Sequence, residues 1–158
     1  MNKSNNTYEG MMYMNNLYGA YGSNISIKAM ETRCPQAKVV GVTDLDDYAL
    51  FFAGDKEGFL SIRPSKGTKV PLVIWEITPD CEAALDDYEA YPRLYGKEQV
   101  TVTLNDTPKE VMVYVMAAPY SDQAMAPSDK YVKVLREGYA DFDLDFNRIE
   151  QALAEITD

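Results

Sequence analysis

Short runs of apolar and β-branched residues, interrupted by Asp, Gly and Pro, fill the first two thirds of the chain. They read "LYGAY", "KVVGVTDL", "YALFFA", "GFLSIRP" and "TKVPLVIWEI", and the alternating runs "EQVTVTL" and "EVMVYVM" come later. Runs of this length between turn residues are typical of β-strands. The last two are joined by "NDTPK", whose composition suits an antiparallel hairpin turn. The pattern predicts six or more short strands.

Four helices are expected between and after these strands. Ser23 and Asn24 are candidate N-caps, and Thr78 is a third, with Pro79 at the first helical position. The predicted helices run from Ser23 or Asn24 to just before Pro35, from Thr78 to near Tyr91, from Ser128 to about Glu137, and from about Asp145 to Ile156.

Strands with helices inserted between them and placed at the end indicate the α+β class. We expect a small mixed β-barrel of six or more short strands with flanking helices, and the mouth of such a barrel is a common small-molecule site. A length of 158 residues suits one domain. That domain is predicted over residues 17–158, with residues 1–16, rich in Asn and Met, as a flexible extension.

Composition excludes several classes of function. The chain has no histidine, so Ser-His catalysis, Cys-His catalysis and imidazole metal sites are excluded. A formal charge of −10 argues against nucleic acid as a partner, because binding to phosphates depends on clustered Lys and Arg.

The expected location is the cytoplasm. No run of roughly 18 uncharged apolar residues is present, so no membrane contact is predicted. The first residues lack the features of a secretion signal. Cys34 and Cys81 form neither a disulfide framework nor a CxxC pattern, and we expect both to be reduced and structural.

The stretch "YGAYGSN" places Tyr21, Gly22, Ser23 and Asn24 between a strand and a helix. A glycine there allows close approach of the backbone to a ligand, and the first N–H groups of the helix lack intrahelical acceptors. Such a turn is suited to bind a carboxylate. The alternative is a capped turn with buried tyrosines and no ligand.

The stretch "LDDYEAYPRLY" offers a catalytic candidate. Leu85 and Glu89 are four residues apart, so a core-facing Leu85 turns Glu89 inward as well. A carboxylate among tyrosines in an apolar cavity resists ionisation and becomes a base near neutral pH. The alternative is a solvated acidic face formed with Asp86 and Asp87.

Tyr114 and Tyr131 are further candidates for a cavity wall, because tyrosine combines an apolar ring with a polar tip. The chain has twelve tyrosines. Packing in the core or on the surface is therefore the alternative for each of them.

The segments "YGAYGSN", "RCPQA", "ALDDYEAYP" and "APSDKY" resemble, in order and spacing, the γ-glutamylcyclotransferase-like family, over about Leu17 to Ile156. The resemblance implies a mixed β-barrel with flanking helices and a carboxylate site at the YGSN turn. It implies Glu89 as the catalytic base and Tyr21, Gly22, Ser23, Asn24, Tyr114 and Tyr131 as substrate-binding residues.

The activity that the resemblance implies is cyclisation of a γ-glutamyl amine or γ-glutamyl amino acid to 5-oxoproline with release of the amine, without a metal or cofactor. One position departs from the family: many relatives have glycine where this chain has Leu72, so a narrower cavity is expected. The alternatives are a non-catalytic member that binds a small ligand, and an interaction protein whose acidic surface recruits a basic partner.

Overall fold

A single five-stranded sheet with four α-helices around it organises the computed structural model, which describes residues 16–156. The strands are β1 (Asn16–Ala20), β2 (Lys38–Gly54), β3 (Gly58–Ile77), β4 (Tyr95–Leu104) and β5 (Thr107–Met116). The α-helices are α1 (Ile27–Arg33), α2 (Pro79–Tyr88), α3 (Asp129–Asp141) and α4 (Asn147–Ile156), and 3-10 turns lie at Ser23–Ile25 and Tyr120–Asp122.

The predicted extension, residues 1–16, lies outside the described residues apart from Asn16, which begins β1. The single domain predicted over residues 17–158 stays a prediction. None of the helices between residues 16 and 156 is long and apolar enough to cross a membrane.

The sheet is mixed, with the order β2-β3-β1-β5-β4. β1 runs antiparallel to β3 and parallel to β5, where Tyr18 pairs with Met112. The outer strands β2 and β4 approach each other where the Thr43 hydroxyl donates to the Thr103 carbonyl at 2.6 Å. Between residues 16 and 156 no backbone ladder joins these two strands. The α+β class is confirmed, whereas the closed barrel is not.

The expectation of six or more short strands is wrong, because four predicted strands merge into two long ones. The turn signals at Asp46 and Asp47 are accommodated as a bulge inside β2: the partner of Asp46 is Lys69, while that of Tyr48 is Pro64. Asp47 has φ 65°, and its carboxylate accepts the backbone N–H of Gly67 at 2.9 Å. A bulge bends a strand and lets it continue.

The hairpin from β4 to β5 forms as predicted. Leu104 pairs with Thr107 across a two-residue turn at Asn105 and Asp106. Both turn residues have positive φ, at 53° and 63°, which is the type I′ conformation that Asn and Asp tolerate.

The first helix begins later than predicted. Ser23–Ile25 forms a 3-10 turn, and the N-cap of α1 is Ser26, whose side chain accepts the N–H of Ala29 at 3.1 Å. Helix α2 has the predicted N-cap Thr78 but ends at Tyr88, two residues before Ala90 with φ 51°. Helix α3 starts at the predicted place, with Ser128 as its N-cap, but it extends to Asp141, and α4 begins only at Asn147.

Helix α3 packs closely on the 3-10 turn. A Cβ atom on Gly138 would lie 2.7 Å from the backbone nitrogen of Ser26, so only glycine permits this approach. Tyr139, also on α3, donates its hydroxyl to the carbonyl of Tyr21 at 3.1 Å. These contacts attach the "YGSN" segment to the helical side of the fold.

Candidate active site

A cavity of about 140 Å³ lies where the turn after β1, the end of α2 and the start of α3 meet. It is smaller than the roughly 300–1,000 Å³ pockets that hold drug-sized ligands, so it suits a compact group such as one amino acid. Thirteen residues line it: Tyr18, Tyr21, Gly22, Ser23, Asn24, Phe59, Leu60, Tyr88, Glu89, Leu94, Tyr95, Tyr114 and Tyr131.

All seven residues singled out from the sequence lie in this lining, although they come from four separate parts of the chain. Their roles toward a ligand remain proposals. Sequence reasoning did not select Tyr18, Tyr88 or Tyr95, although Tyr18 lies in "YGAYGSN" and the other two in "LDDYEAYPRLY". Their position inside these two stretches could have indicated that they line the cavity. With twelve tyrosines in the chain, however, such a position is weak evidence for any one of them.

Glu89 is the charged residue in the lining. It follows α2 as its C-cap, and its backbone N–H donates to the carbonyl of Leu85 at 2.9 Å, one turn earlier. Leu85 is fully buried in the core. Within residues 16–156 no protein group forms a hydrogen bond or ion pair with the Glu89 carboxylate. The carboxylate is therefore available to a ligand in the cavity.

The surroundings of Glu89 disfavour its ionised form. Burial raises the pKa of Glu89 from 4.5 to about 8, and the nearby positive charge of Arg33 opposes part of this rise. Desolvation acts on carboxylates in this direction because the charged form loses more solvation than the neutral one. A carboxylate with this pKa accepts a proton near neutral pH far more readily than an exposed one.

The segment "YGSN" presents backbone N–H groups at the same cavity. The carbonyls of Gly22 and Ser23 accept the first hydrogen bonds of the turn, from Ile25 and Ser26. Among the described residues, the N–H groups of Gly22, Ser23 and Asn24 donate to no protein acceptor. The turn is too short for a sizeable helix dipole, so any attraction for an anion comes from these N–H groups themselves.

Three of the tyrosine hydroxyls in the lining donate hydrogen bonds to acceptors within the protein. Tyr21 donates to the carbonyl of Tyr114 at 2.6 Å, and Tyr114 donates to Oδ1 of Asp86 at 2.6 Å. Tyr95 donates to the carbonyl of Leu60 at 2.6 Å. Burial, followed by the charge of Glu89, raises the pKa of Tyr21. These residues give the cavity apolar ring surface rather than free donors.

Tyr131 differs because its oxygen accepts rather than donates. The backbone N–H of Leu60 donates to the Tyr131 hydroxyl at 3.2 Å. No acceptor for the Tyr131 hydroxyl proton is found in the described part of the chain. A Cβ atom on Gly22 would lie 3.4 Å from this oxygen, so this hydroxyl is next to the YGSN turn.

Leu72 does not narrow the cavity. Its side chain is fully buried and is not among the lining residues. Its Cδ1 atom lies 3.1 Å from the position that a Cβ of Gly19 would occupy, which places it in the core beneath β1. The structure therefore corrects the expectation of a narrowed cavity.

The two cysteines are free and buried. The Cys34 thiol lies 3.5 Å from the Cys81 carbonyl, and burial raises the pKa of Cys34 to about 12. Such a thiol is a poor nucleophile. Across residues 16–156, no group of three or more His, Cys, Asp or Glu side chains is placed to hold a metal ion.

Comparison with known proteins places this chain in a family. Residues 18–133 match the model of the family described as "Gamma-glutamyl cyclotransferase, AIG2-like". A γ-glutamylcyclotransferase from Bos taurus is 28% identical over 131 residues, which cover 77% of this chain and 69% of that protein.

Solved structures agree in fold. An uncharacterized protein from Homo sapiens superimposes with a TM-score of 0.76 at 26% identity, covering 88% of this chain and 86% of the other. A structure named γ-glutamyl cyclotransferase superimposes with a TM-score of 0.74 at 25% identity, covering 87% and 86%. Because the family model spans most of the chain and includes the YGSN turn and Glu89, the chain belongs to the γ-glutamyl cyclotransferase, AIG2-like family.

Proposed function

We propose that this chain is a γ-glutamyl cyclotransferase, which converts a γ-glutamyl amine or γ-glutamyl amino acid into 5-oxoproline and a free amine. The observation that carries the proposal is the Glu89 carboxylate, which lines the cavity without a hydrogen-bonding partner among the described residues. Family membership supports the same reaction class.

Glu89 acts as the base in this proposal. The α-ammonium group of the substrate must lose a proton before its nitrogen can attack. The pKa of this ammonium group is higher than the value of about 8 for a peptide α-amino group, because the adjacent free α-carboxylate stabilises the charged form. Burial raises the pKa of Glu89 to about 8, which narrows the gap between the two groups and lowers the driving force that the proton transfer requires.

The freed amine then attacks the γ-carbonyl carbon and forms the ring C–N bond. Negative charge develops on the carbonyl oxygen, and the tetrahedral intermediate collapses with cleavage of the bond to the departing nitrogen. That nitrogen takes the proton held by Glu89, so the carboxylate is restored. The ring nitrogen still carries two hydrogens, and it loses the second as a proton to the released amine, so the products are the neutral lactam and an ammonium ion. Because nucleophile and electrophile belong to one molecule, orientation supplies much of the rate.

Two sets of donors have proposed roles in binding. The N–H groups of Gly22, Ser23 and Asn24 bind the α-carboxylate of the glutamyl group, since unpaired backbone N–H groups are suited to anions. The Tyr131 hydroxyl, whose proton has no acceptor in the described part of the protein, donates to the oxygen that gains negative charge. The rings of Tyr21 and Tyr114 form the walls.

The test is release of 5-oxoproline from a panel of γ-glutamyl compounds by the parent protein, by Glu89→Gln and by Asp87→Asn. Asp87 is an exposed acid on the same helix, so its substitution is the matched control. We expect loss of a general base to lower the rate by about 10²–10⁴-fold in the Glu89 variant only.

Two outcomes would contradict the proposal. Full turnover by a folded Glu89→Gln protein would remove Glu89 from the mechanism. If the parent protein bound 5-oxoproline but released none from any compound, the chain would be a non-catalytic, ligand-binding member of the family.

A further inference from the structure

Arg33, the last residue of α1, contacts both sequence segments that form the candidate site. Its Nη1 atom donates to Oδ1 of Asn24 at 2.5 Å. Its Cζ atom lies 3.6 Å from the centre of the Tyr88 ring. Asn24 belongs to the YGSN turn and Tyr88 directly precedes Glu89. Arg33 itself is half-buried and is not part of the cavity lining.

The Asn24 side chain has one orientation because both ends of its amide are engaged. Oδ1 accepts from Arg33, while Nδ2 donates to the Tyr18 hydroxyl at 3.0 Å. The backbone carbonyl of Asn24 accepts from the indole of Trp75 at 3.1 Å. Loss of Arg33 would leave a buried amide oxygen without its partner, which favours rotation of the side chain.

Tyr88, the second residue that Arg33 contacts, also interacts with the YGSN turn. The Tyr88 hydroxyl lies 3.0 Å from Oγ of Ser23, and the face of its ring supports the Arg33 guanidinium. A planar guanidinium can stack on a ring and donate a directed hydrogen bond at the same time, which an ammonium group cannot do. The contacts through Asn24, Arg33, Tyr88 and Ser23 thus form a closed loop.

We infer that Arg33 is a positioning residue that holds the YGSN turn against the end of α2. Its contacts fix the position of the backbone N–H groups of the turn relative to the Glu89 carboxylate. The inference rests on the proposed function for its catalytic consequence. Its structural part, the coupling of Arg33 to Glu89, does not depend on turnover.

Electrostatics support this role. The positive charge of Arg33 lowers the pKa of Glu89 against the larger effect of burial. The other groups that interact with the Glu89 charge are the hydroxyls of Tyr18, Tyr21, Tyr95, Tyr114 and Tyr131. Tyr88 is adjacent in sequence, and Asp86 and Lys97 lie behind Tyr114, paired at 3.0 Å. Within residues 16–156, Arg33 is the cation whose charge acts on Glu89.

Two substitutions of Arg33 distinguish the effect of its positive charge from the effect of its planar guanidinium group. Arg33→Gln removes the charge, and Arg33→Lys keeps the charge but loses the planar group. Arg136→Gln is the matched control, because Arg136 is also on a helix and stacks at 4.4 Å on an aromatic ring, that of Phe146. The first measurement is kcat/KM for 5-oxoproline release as a function of pH.

We expect Arg33→Gln to lower kcat/KM by about 10–100-fold, as misplacement of reacting groups does, and to move the rise of activity to higher pH. Arg33→Lys should keep the parent's pH midpoint while kcat/KM falls at least about tenfold. Arg136→Gln should change neither kcat/KM nor the pH midpoint of activity. Parent-like kcat/KM in Arg33→Lys would overturn the positioning role, and this variant also serves if Arg33→Gln does not fold.

The second measurement needs no activity. The stability gained on Glu89→Gln is measured from pH 4 to 10 in the parent and in the Arg33→Gln background. With Arg33 removed, the gain should continue to grow at higher pH than in the parent. An identical pH dependence in both backgrounds would overturn the inference. If the parent releases no 5-oxoproline, the proposed function fails while this coupling is still tested.

Discussion

The Tyr114 hydroxyl, at the wall of the cavity, donates a 2.6 Å hydrogen bond to Oδ1 of Asp86. Asp86 in turn pairs with Lys97, which also binds Glu82 at 2.7 Å. Burial, then the hydrogen bond to Asp86 and its charge, raise the pKa of Tyr114. The hydroxyl is therefore a structural link between β5 and α2, and the ring is what Tyr114 presents to the cavity.

Tyr114→Phe tests this separation of ring from hydroxyl. The variant loses a hydrogen bond to a charged group, so the free energy of unfolding should fall by about 1.5–3 kcal/mol, as measured by urea denaturation. Because the ring remains, 5-oxoproline release should stay close to that of the parent. Tyr48→Phe, at another partly buried tyrosine, is the control. A large loss of turnover with unchanged stability would show that the hydroxyl contacts the substrate instead.

The raised pKa of Glu89 makes stability depend on pH. In the unfolded chain a glutamate ionises at about pH 4.3, whereas Glu89 in the folded protein ionises at about 8. Between these values the unfolded chain releases a proton that the folded protein retains, so this group lowers stability as pH rises through the window. The full penalty is present above the folded pKa.

Glu89→Gln does not titrate, so its stability relative to the parent should increase from about pH 4.5 to about pH 8 and then level off. Urea denaturation of both proteins at several pH values measures this difference. Asp87→Asn, at an exposed acid on the same helix, is the matched control. A constant difference across the range would mean that Glu89 ionises normally in the fold.

The proposed binding of the α-carboxylate by the YGSN turn predicts a chemical selectivity. Conversion of this carboxylate to its methyl ester removes the negative charge, so an accepted substrate should become a poor one, chiefly through a higher KM. The matched compound carries the methyl ester on the departing amino acid and should remain a substrate. Equal turnover of the α-ester and the free acid would contradict the assignment.

The position of Leu72 predicts an effect on stability without an effect on specificity. Leu72→Ala removes a fully buried side chain, which typically costs about 2–5 kcal/mol, and the cavity lining stays the same. Leu60→Ala is the comparison, because Leu60 is equally buried but lines the cavity. Thermal melts and the range of accepted γ-glutamyl compounds check both. A wider range in Leu72→Ala alone would place Leu72 at the site.

Local patterns determined much of the fold before any tertiary contact was known. The N-cap at Thr78, the helix start at Ser128 and the hairpin turn at Asn105 and Asp106 follow from short-range chemistry, and the structure has all of them. The motifs around the YGSN turn and Glu89 were also sufficient to indicate the family. Their residues carry this information because caps and turns depend on backbone groups only a few positions away.

Long-range packing decided the rest. Asp46 and Asp47 are typical of a turn and predict the end of a strand. In the structure β2 continues past them, because it pairs with β3 on both sides and the two residues form a bulge. The pKa of Glu89, the Asp86 partner of Tyr114 and the contact of Arg33 with Tyr88 join residues between 28 and 56 positions apart along the chain. A cavity and its electrostatics depend on how densely atoms from distant segments surround a group, and that density exists only in the folded protein.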